Sequence, residues 1–351
     1  MNPALPPILT LRHLAYETDV SYRYLRFVVS RVVADPYKVF AIAKSIKEPK
    51  KRAFRLICVP DSDLMRVQRW INTYILACAY PHPASHAYSK GTNIIDATKP
   101  HCGKKWLIKL DVRQFFESIS EISVYRVFRA LGYQALVAFE MARICTRLGS
   151  ETPRRNRPQW RVWPRSRTSI DAYSKWRMGH LPQGAPTSPM LANLAVREMD
   201  EELTKIAEEA DLTYTCYADD LAFSTDSSSF NRARAAEIIG RIYRVMGQHG
   251  LSPNKTKTRI APPGARKLLL GLLIDGESPR LTREFRARLR QHLYYLAHPR
   301  IGPAHHAGKR GFSAVLGLRH HIEGLIAFAA QVDPSYAAAC ADEFRKVAWP
   351  L

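Results

Sequence analysis

The chain has 351 residues, 46% of them hydrophobic and 24% charged, a composition that suits a globular protein of two or three subdomains. Its 53 Lys+Arg against 31 Asp+Glu, a formal net charge of +22, favour a polyanionic partner, nucleic acid ahead of an anionic membrane surface. No uninterrupted apolar run is long enough to cross a bilayer, and MNPALPPILTLRH at the start lacks the pattern of a signal peptide.

In chain order, residues 19–33 (DVSYRYLRFVVSRVV) carry helical spacing of apolar side chains. A basic stretch from Lys44 leads into a short strand, Phe54 to Val59, which Pro60 ends. Asp61 is placed to cap a helix over 62–79 with Leu64, Val67, Ile71 and Leu76 on one face. A loop over 81–93 precedes a strand, 104–110, that ends at Asp111. Residues 121–148 predict a helix broken near Gly132.

Residues 149–180 hold seven arginines, one lysine and three tryptophans. They read either as a solvated loop or as a nucleic-acid-contacting insertion in which Arg154, Arg155, Arg157 and Trp160 clamp phosphates and stack bases. A helix over 187–209 follows, then a hairpin with strands 212–217 and 221–225. An amphipathic helix, 230–249, and an apolar strand, 267–274, come next. Helices over 282–297, 312–331 and 334–347 close the chain. The six cysteines have neither Cys-x-x-Cys pairs nor zinc-like spacing and read as reduced thiols of a cytoplasmic protein.

The hairpin YTCYADDLAFS sets Asp219 and Asp220 side by side in an apolar context, which is costly unless a cation neutralises them. Asp111 ends the apolar strand of WLIKLDVRQFF. Neighbouring strands would bring three carboxylates to one sheet edge, a set able to hold two Mg²⁺ ions for nucleotidyl transfer. Taken singly, Asp111 also reads as a strand-end cap and Asp219-Asp220 as turn chemistry. Between them, LPQGAPTSPMLAN predicts a turn just before a helix N-terminus, suited to a phosphate or a template backbone.

LDVRQFF, LPQGAPTSPMLAN and YADDLAFS, in this order, resemble motifs A, B and C of reverse transcriptases, the group that includes retron and group II intron enzymes above all. RLICVP resembles the fingers motif, LSPNKTKTRI motif D, and LLLGLLID the start of the primer grip, so the likeness spans about 35–350. It implies an α+β right-hand polymerase: N-terminal helices and fingers (1–105), a palm of antiparallel sheet packed on helices (106–278), and an α-helical thumb (279–351). It implies Asp111, Asp219 and Asp220 as catalytic carboxylates, and Asp111, Val112, Asp219 and Asp220 as the metal-binding set for two Mg²⁺ ions, with Mn²⁺ as substitute. Phe116 matches the steric gate against a 2′-hydroxyl; Arg55, Gln183, Gly184 and Lys257 match the remaining contacts to a dNTP. Phe116 also reads as a core aromatic, and Lys257 as a solvated charge.

No separate RNase H or endonuclease segment is legible, which favours the compact retron type. That type implies a structured non-coding RNA as template and primer, a branched RNA–DNA product (msDNA), and work beside an effector protein in anti-phage defence. A basic thumb surface, with Arg280, Arg283, Arg286, Arg288, Arg290, His292 and Lys309, would bind a stem of that RNA. Retron enzymes carry Asn-Ala-x-x-His and Val-Thr-Gly; here Ala97-Thr98-Lys99-Pro100-His101 and Leu269-Leu270-Gly271 stand instead. These departures leave other domesticated bacterial reverse transcriptases open, whether defence-associated, diversity-generating or intron-derived. Template-independent nucleotidyl transfer and a non-catalytic RNA-binding scaffold also stay open.

Overall fold

The computed structural model describes residues 5–31, 35–43, 54–149 and 177–350. Helices α1 (Leu11–Glu17) and α2 (Tyr22–Ser30) open the chain; α2 is shorter than the 19–33 pattern because Asp19 and Arg31 take positive φ at its ends. A two-stranded antiparallel ribbon follows, β1 (Tyr37–Ala43) on β2 (Phe54–Pro60). The sequence reading lacked β1. Asp61 does cap α3 (Ser62–Trp70), accepting from the Leu64 N–H at 2.9 Å. The predicted helix to 79 instead loosens into a π turn over Ile71–Ile75 and a 3₁₀ turn over Leu76–Cys78.

A short helix, α4 (Ile94–Thr98), leads into β3 (Trp106–Asp111). The strand starts two residues later than predicted because Lys104 and the Lys105 N–H are both held by Asp226. After α5 (Phe115–Ser118), helices α6 (Glu121–Ala130) and α7 (Ala135–Cys145) flank a break at Gly132, as the pattern predicted. The predicted helix over 187–209 is two helices, α8 (Ser188–Ala195) and α9 (Arg197–Glu209), which part at Val196. Then come β4 (Thr213–Tyr217), β5 (Asp220–Thr225), α10 (Arg232–Gln248) and β6 (Arg259–Ala261).

These strands form an antiparallel sheet of order β4-β5-β3-β6. Strand alternation gives it two unlike faces. Ile108, Leu110, Tyr214, Cys216, Leu221 and Phe223 point one way, into the main core with α6, α7, α9 and α10. Each fully buried aliphatic side chain there contributes about 1.5–3 kcal/mol. Leu107, Lys109 and Asp111 point the other way. At the Leu107 end that second face is covered by Leu269 and Ile274, and Ala222 and Thr215 in the next row are buried as well.

The predicted strand over 267–274 is in fact a hairpin, β7 (Leu268–Leu269) and β8 (Leu272–Leu273), with a turn at Leu270-Gly271. Both turn residues have positive φ, 50° and 83°, as a two-residue I′ turn requires. β9 (Arg280–Leu281) adds a third strand. The chain closes with α11 (Arg283–Ala297), α12 (Gly302–Lys309), α13 (Val315–Val332) and α14 (Pro334–Arg345). These helices have their own core of Leu289, Leu293, Leu318, Ile322 and Phe344. No helix among the described residues is long and apolar enough to cross a membrane.

Candidate active site

The turn between β4 and β5 is Ala218-Asp219, so Asp220 is the first residue of β5 rather than part of the turn. Ala218 has φ 56°, a conformation that costs any residue with a Cβ and that surrounding structure must impose. Tyr217 pairs with Asp220, and Asp220 pairs with Asp111. Directly opposed residues of an antiparallel sheet project to the same face, so the two aspartates share the open face. The third is tied to them through the backbone: the Val112 N–H donates to the Asp219 carbonyl at 2.8 Å. The sheet thus assembles the carboxylates the sequence placed at one edge.

Their proximity has an electrostatic cost. Burial, with the charges of Asp219 and Asp111, pushes the Asp220 carboxyl up to about 6. Burial and Asp111 also raise Asp219, against the lowering influence of Lys257 and Arg55. Asp111 is 5% exposed and accepts from Asn254 Nδ2 at 2.9 Å and from Lys257 Nζ at 2.5 Å. Partial burial pulls the Lys257 ammonium down, but the hydrogen bond to Asp111 and the three carboxylate charges outweigh it and raise its pKa. Three carboxylates are hard oxygen donors of the kind that hold Mg²⁺ or Mn²⁺. Among the described residues no three His, Cys, Asp or Glu side chains form a ready-made metal cluster, and Asn254 and Lys257 occupy both oxygens of Asp111.

Of the other residues singled out in sequence, Phe116 is half-buried, its ring 5.6 Å from Phe115 and 6.2 Å from Tyr88. Arg55 lies exposed on β2, near enough to lower Asp219. The Gln183 carbonyl accepts from the Cys58 N–H at 2.7 Å, which docks the 182–186 turn onto β2. Gly184 has φ 110°, and a Cβ there would lie 2.9 Å from Ile57 Cγ2, so only glycine fits. Arg154, Arg155, Arg157 and Trp160 lie outside the described residues. The ends of that stretch meet where Arg147 and His180 exchange backbone hydrogen bonds of 2.9 and 3.0 Å.

The basic thumb surface needs correction at two positions. Arg286 donates to Asp333 at 2.6 Å and covers the Tyr336 ring, fastening α11 to α14. His292 is 4% exposed and bonds His306 at 2.9 Å, so it is a core residue. Arg283, Arg290 and Lys309 are exposed.

Four residues near the carboxylates were missed in the sequence. Asn254 is one. Tyr88, in the 81–93 loop with φ 61°, packs near Phe116 and feels the charge of Asp219. Lys109, two residues before Asp111, shares its face of the sheet. His101, known only as a retained motif residue, is fully buried beneath the hairpin. Thr215 Oγ1 donates to the Ala97 carbonyl, so it accepts from His101 Nε2–H at 2.8 Å; His101 Nδ1 then accepts from the Ser224 hydroxyl at 2.6 Å. Burial holds this histidine neutral, down to about 4. It staples the two strands that carry Asp219 and Asp220.

Residues 46–272 match the family described as reverse transcriptase (RNA-dependent DNA polymerase). The chain belongs to the reverse transcriptase family. Its similarity to curated retron enzymes extends over most of its length. It is 28% identical over 296 residues to the retron Ec86 reverse transcriptase of Escherichia coli, covering 84% of this chain and 80% of that one. The retron Ec83 enzyme of the same organism is 25% identical, with coverage of 86% and 85%. The retron Mx65 enzyme of Myxococcus xanthus is 28% identical over 86% of this chain, which spans 62% of that longer protein. Among solved structures, telomerase from Candida albicans in complex with a telomeric RNA fragment aligns with 90% of this chain and 56% of that one, at 12% identity and TM-score 0.42.

This reverse transcriptase is therefore an RNA-directed DNA polymerase of retron type, with the right-hand fold of its family. Family membership implies a divalent cation, dNTP substrates and a nucleic-acid template.

Proposed function

We propose that this reverse transcriptase copies a cognate structured non-coding RNA into DNA, starting from a 2′-hydroxyl of that RNA and leaving a branched RNA–DNA product. The observation that carries the catalytic part is the register that pairs Asp111 with Asp220 and hangs Asp219 from Val112. The proposed division is fingers over 1–105, palm over 106–278 and thumb over 279–351, supported by the separate cores of sheet and C-terminal helices.

In this reading Asp111, Asp219 and Asp220, with Val112 beside them, hold two Mg²⁺ ions. Bound there, such a pair would activate the attacking hydroxyl and stabilise the leaving pyrophosphate. The protein's own groups do the rest. Phe116 flanks the incoming sugar and excludes a 2′-hydroxyl. Arg55 and the turn at Gln183-Gly184, docked together through Cys58, receive the triphosphate and the new base pair. Lys257, kept protonated by its carboxylate neighbours, supplies a proton to the departing pyrophosphate. Arg283, Arg290 and Lys309 offer an exposed basic face to an RNA stem.

The same proposal places the enzyme in the cytoplasm beside an effector protein of an anti-phage system. Sequencing of the nucleic acid that copurifies with the protein tests it. DNA joined through a 2′,5′ linkage to one structured RNA is the expected result. Linear DNA on heterogeneous transcripts would contradict the retron reading and favour another domesticated reverse transcriptase.

A further inference from the structure

Lys109 occupies an unusual place for a lysine. It lies in the middle of β3, half-buried, in the central part of the sheet. Its cross-strand partners are Ala222 on β5 and Arg259 on β6. Asp111 and Asp220 form the next row of the same face, about 7 Å away along the strands. The open face thus carries a row of carboxylates and, one repeat behind it, a row with two cations.

Among the described residues, the Lys109 side chain makes no hydrogen bond and no ion pair, although it feels the charge of Asp220. It lines a cavity of about 460 Å³ with Tyr88, Ile94, Tyr217, Asp220 and the Leu270-Gly271 turn. A partly desolvated ammonium facing such a cavity is completed by an anion.

The chemistry of the site selects the anion. In-line displacement puts the attacking hydroxyl and the leaving pyrophosphate on opposite sides of the reacting phosphorus. Phe116, Gln183 and Gly184 do not line this cavity, whereas Tyr217, Ala218, Asp219 and Asp220 do. A strand whose terminal hydroxyl is held at Asp111 and Asp220 could run on past the Lys109 row, one strand repeat behind them.

We propose that Lys109 binds a backbone phosphate of the primer strand, one step behind its reacting end, and so holds the attacking hydroxyl against Asp111 and Asp220. Arg259 adds to the field from the adjacent strand. This inference rests on the polymerase reading of the site and adds a substrate contact to it.

The test compares wild type with Lys109→Met and Lys109→Arg in extension of a primed RNA template by dNTPs. Lys109→Met should raise KM for the primer–template about tenfold and leave KM for dNTP unchanged. It should also flatten the salt dependence of primer–template binding by about one unit in the log–log slope. Lys109→Arg should recover most of the loss. A primer with one uncharged methylphosphonate behind its terminal nucleotide should be used equally by wild type and Lys109→Met; the same replacement in the template strand should leave the difference intact. Unchanged primer affinity and salt slope in Lys109→Met would overturn the inference, as would a difference erased only by the template-strand replacement. Equal thermal midpoints separate a lost contact from a lost fold. Failure of wild type to extend any primed RNA would instead overturn the polymerase reading itself.

Discussion

Asn254 holds Asp111 at two points: its side chain donates to Asp111 Oδ1 at 2.9 Å and its backbone N–H donates to the Asp111 carbonyl at 2.7 Å. A residue from the loop before β6 thus sets both the backbone and the carboxylate of Asp111, some 140 residues upstream. Lys257, three residues on, takes the other oxygen. The segment LSPNKTKTRI is therefore part of the carboxylate centre.

Asn254→Ala removes the side-chain bond and keeps the backbone bond. Its expected effect is a fall in kcat of ~10–100-fold, the usual range for groups that orient a ligand residue, with little change in thermal midpoint. Lys257→Met should reduce kcat as well and remove the decline of the rate at alkaline pH that a lysine acid imposes. Steady-state kinetics across pH decide both. An Asn254→Ala enzyme with unaltered kcat would mean that Asp111 is positioned by β3 alone.

Replacing His101 by Phe leaves the Ser224 hydroxyl without its acceptor in a fully buried site. The expected loss is about 2 kcal/mol of stability, read as a lower denaturant midpoint at constant slope. Activity should fall further than stability alone predicts, because the same bonds fix the spacing of β4 and β5. A variant with wild-type stability and rate would contradict the staple.

Acid should loosen the C-terminal helices and spare α9. Burial pushes Asp200 up to about 7, although Tyr214 and Cys216 bond it. Between its ordinary 3.8 and 7 the folded chain keeps a proton the unfolded chain has lost, so this contribution weakens as pH rises through that window. His292 behaves in the opposite sense. Burial, with His306, Arg310, His321 and Arg288 around it, lowers it to about 4, so its contribution is present above 6.5 and lost as pH falls toward 4. Hydrogen exchange at pH 5 and pH 7.5 should therefore show α11–α13 opening at pH 5 while α9, which carries Asp200, becomes more protected; at β4 the acid loss at His101 opposes the gain at Asp200, so its protection should change less. Uniform loss of protection across both regions would contradict this assignment.

The sequence made the chemistry legible and the joints obscure, for physical reasons. Asp111, Asp219 and Asp220 stood out because adjacent carboxylates in apolar strands are costly without a cation, whatever each could do singly as a cap or in a turn. The Leu268–Leu273 run hid its own turn: six consecutive apolar positions bar one glycine imitate a buried strand, and nothing local announces that Leu270 will accept φ 50°. Val196 likewise parts two helices inside a pattern that continues smoothly across it. Asn254, Lys109 and His101 depend on partners far along the chain, and spacing says nothing about which strand a side chain will meet. The two thumb corrections share a cause: a helix rich in arginine looks uniformly solvated until Asp333 and His306 arrive from other helices.

The central claim is that Asp111, Asp219 and Asp220 act as one catalytic set. Its most direct measurement is dNTP incorporation on a primed RNA template with Mg²⁺, by wild type and by Asp111→Asn, Asp219→Asn and the Asp219→Asn/Asp220→Asn pair. Wild type should extend the primer by copying the template, and each variant should lose at least ~100-fold in rate while keeping its fold. Template-dependent synthesis at the wild-type rate by the double variant would contradict the account.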